Sequence, residues 1–228
     1  DVSGHMELLG GPEGYASMLD EMFSGSSRMA GRHQSDITGL IGQYAHGNEP
    51  SHHMAYLPSY AGHPERTQSL VDSICDELYT AAPDGLSGNE DCGQMSSWYV
   101  WSALGLYPVT PGSDQYVLGT PRFDAASWTL PNGAVLAMRA ERESPASVYI
   151  HGLTIQGRPV TRSWVTHAEL MAGGDWVFDL RDAPAPKGGF GTNRADWPVS
   201  EWTLGDGAFV PAPYLKAPRS YSGEQLDV

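Results

Sequence analysis

Apolar residues along this chain follow a helical period in the first half and a strand period in the second. Met18, Leu19, Met22 and Phe23 share one helical face, and Pro12 stands where a helix would start. Residues 1–30 therefore read as helical, with a polar Gly/Ser loop over 24–35. A short apolar stretch over 37–44 follows, then a helical one over 52–60. Residues 65–80 give the clearest amphipathic pattern. Leu70, Val71, Ile74 and Leu78 lie on one face, with Asp72, Asp76 and Glu77 off it. Residues 95–106 predict a further helix, in which Trp98, Tyr99 and Trp101 read as core rather than as a sugar platform. Beyond Pro108 the period shortens. Residues 116–118, 127–130, 134–140, 147–150 and 176–180 read as short strands between turn signals such as Pro131-Asn132-Gly133. The expected class is α+β: a helical part over 1–107, a small antiparallel β region over 108–184 and an irregular tail over 185–228.

Composition narrows what such a chain can do. Its 228 residues are 40% apolar and 10% aromatic, enough for a core. Thirteen Lys and Arg stand against 27 Asp and Glu, a net charge of -14. That balance argues against nucleic acid and anionic membrane surfaces as partners. It suits a neutral ligand or a hard cation with oxygen ligands. No apolar run reaches membrane-spanning length, and no signal peptide is visible. The first residue is Asp1 rather than Met, which reads as a processed product or a fragment. Cys75 and Cys92 do not make a disulfide framework and read as two buried thiols.

Two polar runs interrupt the helical part: Gly47-Asn48-Glu49-Pro50-Ser51-His52-His53 and Gly88-Asn89-Glu90-Asp91-Cys92-Gly93-Gln94-Met95-Ser96. Glu49 precedes a proline, which keeps it out of a helix interior and places it on a loop entering one. Carboxylates at helix entrances can be simple caps. Alternatively, Asn and Glu oxygens serve a hard cation or sugar hydroxyls. A zinc site through His46, His52 and His53 is the weaker choice, because adjacent histidines on a helix diverge. Asn89, Glu90 and Asp91 form a second entrance, where Gly93 lets backbone approach a ligand. Two carboxylate-bearing entrances fit glycoside hydrolysis, which needs an acid on one side of the bond and a base on the other.

These two runs, with residues 80–85 and Gly105-Leu106-Tyr107-Pro108, resemble the C-terminal half of the family 92 glycoside hydrolases over about residues 1–182. The resemblance implies a calcium-dependent, inverting exo-α-mannosidase. Its fold would be an (α/α)₆ barrel preceded by a β-sandwich, with the site where the two meet. Asp91 would then be the general base. Asn89 would stand where some members carry a second carboxylate supporting it. Asn48 and Glu49 would lie at a Ca²⁺ that grips mannose hydroxyls and favours a distorted ring. His53, Glu90 and Gln94 would contact the sugar or its surroundings. His33 falls where α-1,2-linkage enzymes carry a His-Glu pair, and Gln34 replaces the glutamate.

The family's general acid lies in a Glu-Gly-Asn segment, which this sequence lacks, as it lacks the sandwich. The expected partners are therefore a mannose-containing glycan and an N-terminal fragment of the same enzyme that supplies the acid. A non-catalytic calcium-dependent mannose-binding module is the alternative, or a mannosyl-phosphodiester hydrolase with Arg28 and Arg32 nearby. The family's habit of acting on external glycans implies a secreted or periplasmic setting.

Overall fold

A computed structural model describes residues 1–29 and 37–200. The helical part opens with α1 (Val2–Leu8) and α2 (Pro12–Ser24), so the expected single helical stretch is broken ahead of Pro12. Tyr15, Ala16 and Leu19 of α2 face the core. A small hairpin follows, β1 (Leu40–Ile41) against β2 (Tyr44–Ala45), inside the stretch read only as apolar. The first polar run forms a 3₁₀ turn over Glu49–Ser51 and leads into a 3₁₀ helix over Met54–Ala61. Pro58 lies inside that helix, and the tighter winding suits a segment buried along nearly its whole length.

α3 (Pro64–Leu78) is the central strut. Val71, Ile74 and Cys75 are buried on its apolar face, with Leu70 and Leu78 partly buried beside them. Its other face is not simply solvated. Arg122 reaches across from the loop after the next sheet, with Nη1 2.6 Å from Asp72 Oδ1 and Nη2 paired with Asp76. Gln68, also on α3, is almost fully buried, and its Oε1 accepts a hydrogen bond from Ile150 N–H at 3.1 Å. α4 (Gln94–Ala103) follows the second polar run and buries Met95 and Trp98.

Two sheets make up the rest. A three-stranded sheet has the order β3 (Leu106–Tyr107), β4 (Gln115–Leu118), β9 (Trp164–Thr166). The boundary expected near Tyr107-Pro108 thus falls just after a strand that joins the β region. A five-stranded sheet runs β5 (Ala125–Thr129), β6 (Val135–Arg142), β10 (Gly174–Arg181), β7 (Tyr149–Ile155), β8 (Arg158–Val160). The alternation of β10 buries Trp176, Phe178 and Leu180 and turns Asp175, Val177 and Asp179 outward. Pairing is antiparallel except between β6 and β10, which run parallel. Parallel neighbours need a crossover. The chain from β7 to α5 (His167–Ala172) supplies it, and a Thr166–Glu169 capping box fixes the start of that helix.

The tail is irregular but not loose over its described part. Ser163 N–H donates to Asp196 O at 2.9 Å, and Gly191 N–H donates to Thr161 O at 2.7 Å. Ser3 N–H donates to Ser200 Oγ at 3.0 Å, closing residues 185–200 back onto the start of the chain. Of the two thiols, Cys75 is buried, and burial pushes it up to about 12. Cys92 is exposed, against expectation, because it lies on a tight polar turn rather than on an apolar helix face.

Gln68 joins α3 to the larger sheet through a buried backbone group. Gln68→Leu keeps the volume but strands Ile150 N–H away from water. It should destabilise the fold by about 1–3 kcal/mol. In a urea titration the midpoint should drop at an unchanged slope.

Candidate active site

The two polar runs meet because their glycines let them. Thr38 is wedged between them. A β-carbon on Gly47 would fall 1.9 Å from Thr38 Oγ1 and 3.0 Å from Ser87 O. One on Gly88, whose φ is +81°, would fall 2.8 Å from the same Oγ1. With side chains at these positions the backbones could not approach this closely. Gly47 N–H also donates to Thr38 O at 3.0 Å.

This packing brings Asp91 up to Glu49. The carboxyl of Asp91 is raised above the usual carboxylate range, first by pairing with the Glu49 side chain. Lost hydration and then the charges of Glu49 and Glu90 add to it. No hydrogen bond of good geometry joins the two acids, and Glu49 Oε1 is buried without a partner. A cation between two neighbouring carboxylates offsets their repulsion. Among the described residues no three His, Cys, Asp or Glu side chains converge on one point. A hard cation at Glu49 would draw its remaining ligands from amide and carbonyl oxygens or water, a donor set that calcium accepts. The orphaned Glu49 Oε1 and the facing Asp91 are compatible with such an ion. Asn48, half-buried one residue earlier, caps nothing with its side chain.

The backbone of the second run is unusual. Asp91 (φ 50°), Cys92 (φ 57°) and Gly93 (φ 97°) are all left-handed. That conformation is disfavoured for the two residues carrying a β-carbon. Glu90 secures the turn: one carboxylate oxygen accepts from Gly93 N–H, and Oε1 accepts from Ser96 N–H at 3.1 Å. Hydrogen bonds from Ser96 and Gly93 hold its carboxyl below the usual range, with desolvation opposing them. Both oxygens of the expected sugar contact Glu90 are therefore engaged in capping α4. Asn89 is exposed beside it.

Beneath the loops lies a cluster of rings that the sequence reading treated separately. His46 is fully buried and stacks on His52 at 4.8 Å, with Trp98 edge-on at 4.5 Å. Tyr79 O–H donates to Met95 O at 3.1 Å. A phenol has one proton, so Tyr79 accepts from His46 Nε2–H at 2.5 Å, and His46 Nδ1 accepts from Tyr44 O–H at 2.7 Å. This requires a neutral imidazole. Burial, then the neighbouring His52, lowers His46 to about 3. His52 Nε2–H donates to His46 O at 3.0 Å, which leaves its Nδ1 to accept from Gln94 Nε2 at 3.2 Å. Trp98 Nε1–H donates to His52 O at 3.0 Å. Gln94 is thus tied to the first run.

His53 is half-buried and lines a separate cavity with His5, Met18 and Met54, away from the Asp91 turn. His33, with Gly31, Arg32 and Gln34, lies outside the described residues. The roles of His46, His52 and Tyr79 were missed. One available signal was the i, i+2 spacing of Tyr44 and His46, which puts both on one side of an extended chain.

The model of the glycosyl hydrolase family 92 catalytic domain matches residues 1–182. The chain belongs to this family. An uncharacterized secreted glycosidase of Arthroderma benhamiae is 29% identical over 203 residues, covering 88% of this chain and 24% of that protein. The family GH92 α-mannosidase BT3965 of Bacteroides thetaiotaomicron, in complex with mannoimidazole, matches with a TM-score of 0.82 at 36% identity. It covers 88% of this chain and 26% of that one. The family GH92 inverting mannosidase BT2199 of Bacteroides thetaiotaomicron VPI-5482 matches with a TM-score of 0.74 at 35% identity, over 88% and 28%. The chain thus spans about a quarter of the length of these relatives. Its fold is that of the family's helical barrel domain with mixed helix and sheet, as the resemblance implied.

The Glu90 cap has a definite pH sign. Its folded carboxyl is lowered, so its contribution is present above the ordinary carboxylate range and lost as pH falls through the lowered value. Glu90→Ala should speed hydrogen exchange at the Gly93 and Ser96 amides at neutral pH. The same acceleration should appear in the unaltered protein only under strong acid.

Proposed function

We propose that the protein carrying this chain is an α-mannosidase that hydrolyses terminal α-mannosides of glycans with inversion, and that it depends on calcium. The observation that carries this reading is the meeting of the two glycine-packed loops that bear Glu49 and Asp91, in a chain of family 92. Asp91 is the general base. It stands exposed on its turn, where it can take a proton from the attacking water. Asn89 beside it supports the base as a polar neighbour without adding charge. Asn48 and Glu49 hold the calcium ion, which when bound supplies a hard Lewis acid for adjacent sugar hydroxyls. Gln94, held by its hydrogen bond to His52, is a sugar contact in this reading.

The general acid comes from another segment of the protein. Glu90 is committed to its cap, and Glu49 lies against Asp91. Inversion needs carboxyls about 6.5–9.5 Å apart to admit a water. We take α-1,2-linked mannose as the substrate on His33 alone, since Gln34 stands where α-1,2-linkage enzymes carry a glutamate. Action outside the cytoplasm fits the secreted glycosidase relative. Among the described residues no helix is long and apolar enough to cross a membrane.

The test is proton NMR of mannose release by the full-length protein, read at the anomeric signal in the first minutes. β-Mannose should appear first. Asp91→Asn should lower kcat by about 10³-fold or more, because the water loses its base. Initial α-mannose, or an Asp91→Asn variant near wild-type rate, would refute the assignment.

A further inference from the structure

Tyr79 ends α3 and opens the loop of residues 80–94 that carries Asp91. Its O–H donates to Met95 O at 3.1 Å, on the far side of that same loop. This bond helps close the root of the base-bearing loop. The phenol oxygen also accepts from His46 Nε2–H at 2.5 Å, and His46 is the residue before Gly47-Asn48-Glu49. The roots of both site loops therefore meet at a single hydroxyl. The ring that holds it is itself fixed. It stacks parallel on Trp98 at 5.9 Å and 7°, and packs against Tyr99 at 4.8 Å.

We propose that Tyr79 is a positioning residue, whose hydroxyl sets how closely the Glu49 loop and the Asp91 loop approach. The proposal rests on the reading that those two loops form one site. Tyr79 acts through the Met95 carbonyl and the His46 ring: its hydroxyl bonds these two and neither site carboxyl. Gln94 and Trp98 add hydrogen bonds from α4 to His52, but both sit on α4 and leave the start of the loop untied. Among the described side-chain hydrogen bonds, that from Tyr79 to Met95 O links the two ends of the loop.

The arrangement supplies its own control. Tyr44 bonds the other nitrogen of the same imidazole at 2.7 Å, but touches nothing in residues 80–94 in doing so. Tyr44→Phe and Tyr79→Phe each remove one oxygen from His46, and each keeps an aromatic ring in place. Tyr79→Phe loses one hydrogen bond more than Tyr44→Phe, so a structural role would separate the two in stability but leave the kcat values of the folded variants alike. A positioning role separates them.

The experiment is steady-state kinetics of both variants in the full-length protein on an α-mannoside, with hydrogen exchange of the same samples. Tyr79→Phe should lose about 10–100-fold in kcat, because misplacement of about 1 Å costs that much, with KM within about threefold. Tyr44→Phe should stay within about threefold in kcat. Exchange at the 47–51 and 93–97 amides should quicken together in Tyr79→Phe alone. Equal kcat in the two variants, or exchange changes confined to one loop, would overturn the proposal. So would a Tyr79→Phe protein that no longer folds, which would make the tyrosine purely structural. If the unaltered protein releases no mannose, the mannosidase reading fails separately, and the exchange comparison still decides this one.

Discussion

Two carboxyl groups held against one another are costly, because each raises the price of ionising its neighbour. Asp91 is in that position beside Glu49, and the close packing of the two loops keeps it there. Thr38 between Gly47 and Gly88 sets the closeness of the backbones. The left-handed run from Asp91 to Gly93 aims one acid, and Glu90 holds that run by taking up two amides. The cost is consistent with a ligand that compensates the charge. A hard cation meets that need.

The layer below the carboxyls is the opposite of flexible. Tyr44, His46, His52, Tyr79 and Trp98 form a buried set of rings whose polar atoms are nearly all paired, and whose proton positions follow from one another. A satisfied buried network of this kind fixes a single arrangement. It joins three elements that are distant in sequence: the hairpin before the first polar run, the end of α3 and the first turns of α4. Rigid support beneath strained loops is what a site needs if its geometry must survive contact with a substrate. α3 extends this support to the β region through Gln68 and through Arg122 paired with Asp72 and Asp76.

Much of this was legible in the sequence, and what was not has physical causes. α3 and α4 show in the spacing of Val71, Ile74 and Trp98 because one helix face is dry and the other is wet. The strands around Leu136 and Phe178 show through alternation for the same reason. The hairpin at Leu40–Ala45, the strands at Arg158–Val160 and Trp164–Thr166 and the helix at His167–Ala172 are too short to set up a period. The parallel partnership of β6 with β10 is non-local and leaves no trace in either strand. At the site, Glu49 and Asp91 stood out as carboxylates beside glycines. Glu90 read as a sugar contact, and the fold instead turns it into a cap while leaving Asp91 exposed. Tyr79 was not singled out, because hydrogen bonds to Met95 and His46 carry no sequence signature.

The facing acids are the heart of the account, and calcium binding without sugar tests them most directly. Isothermal titration of CaCl₂ into the chelator-treated full-length protein should give one site per chain. Glu49→Gln should weaken it by about tenfold or more, as loss of a charged oxygen ligand does. Asp91→Asn should change it by much less. Equal affinity in the unaltered protein and Glu49→Gln would contradict the account, because Glu49 would then be facing Asp91 for some reason other than a bound cation.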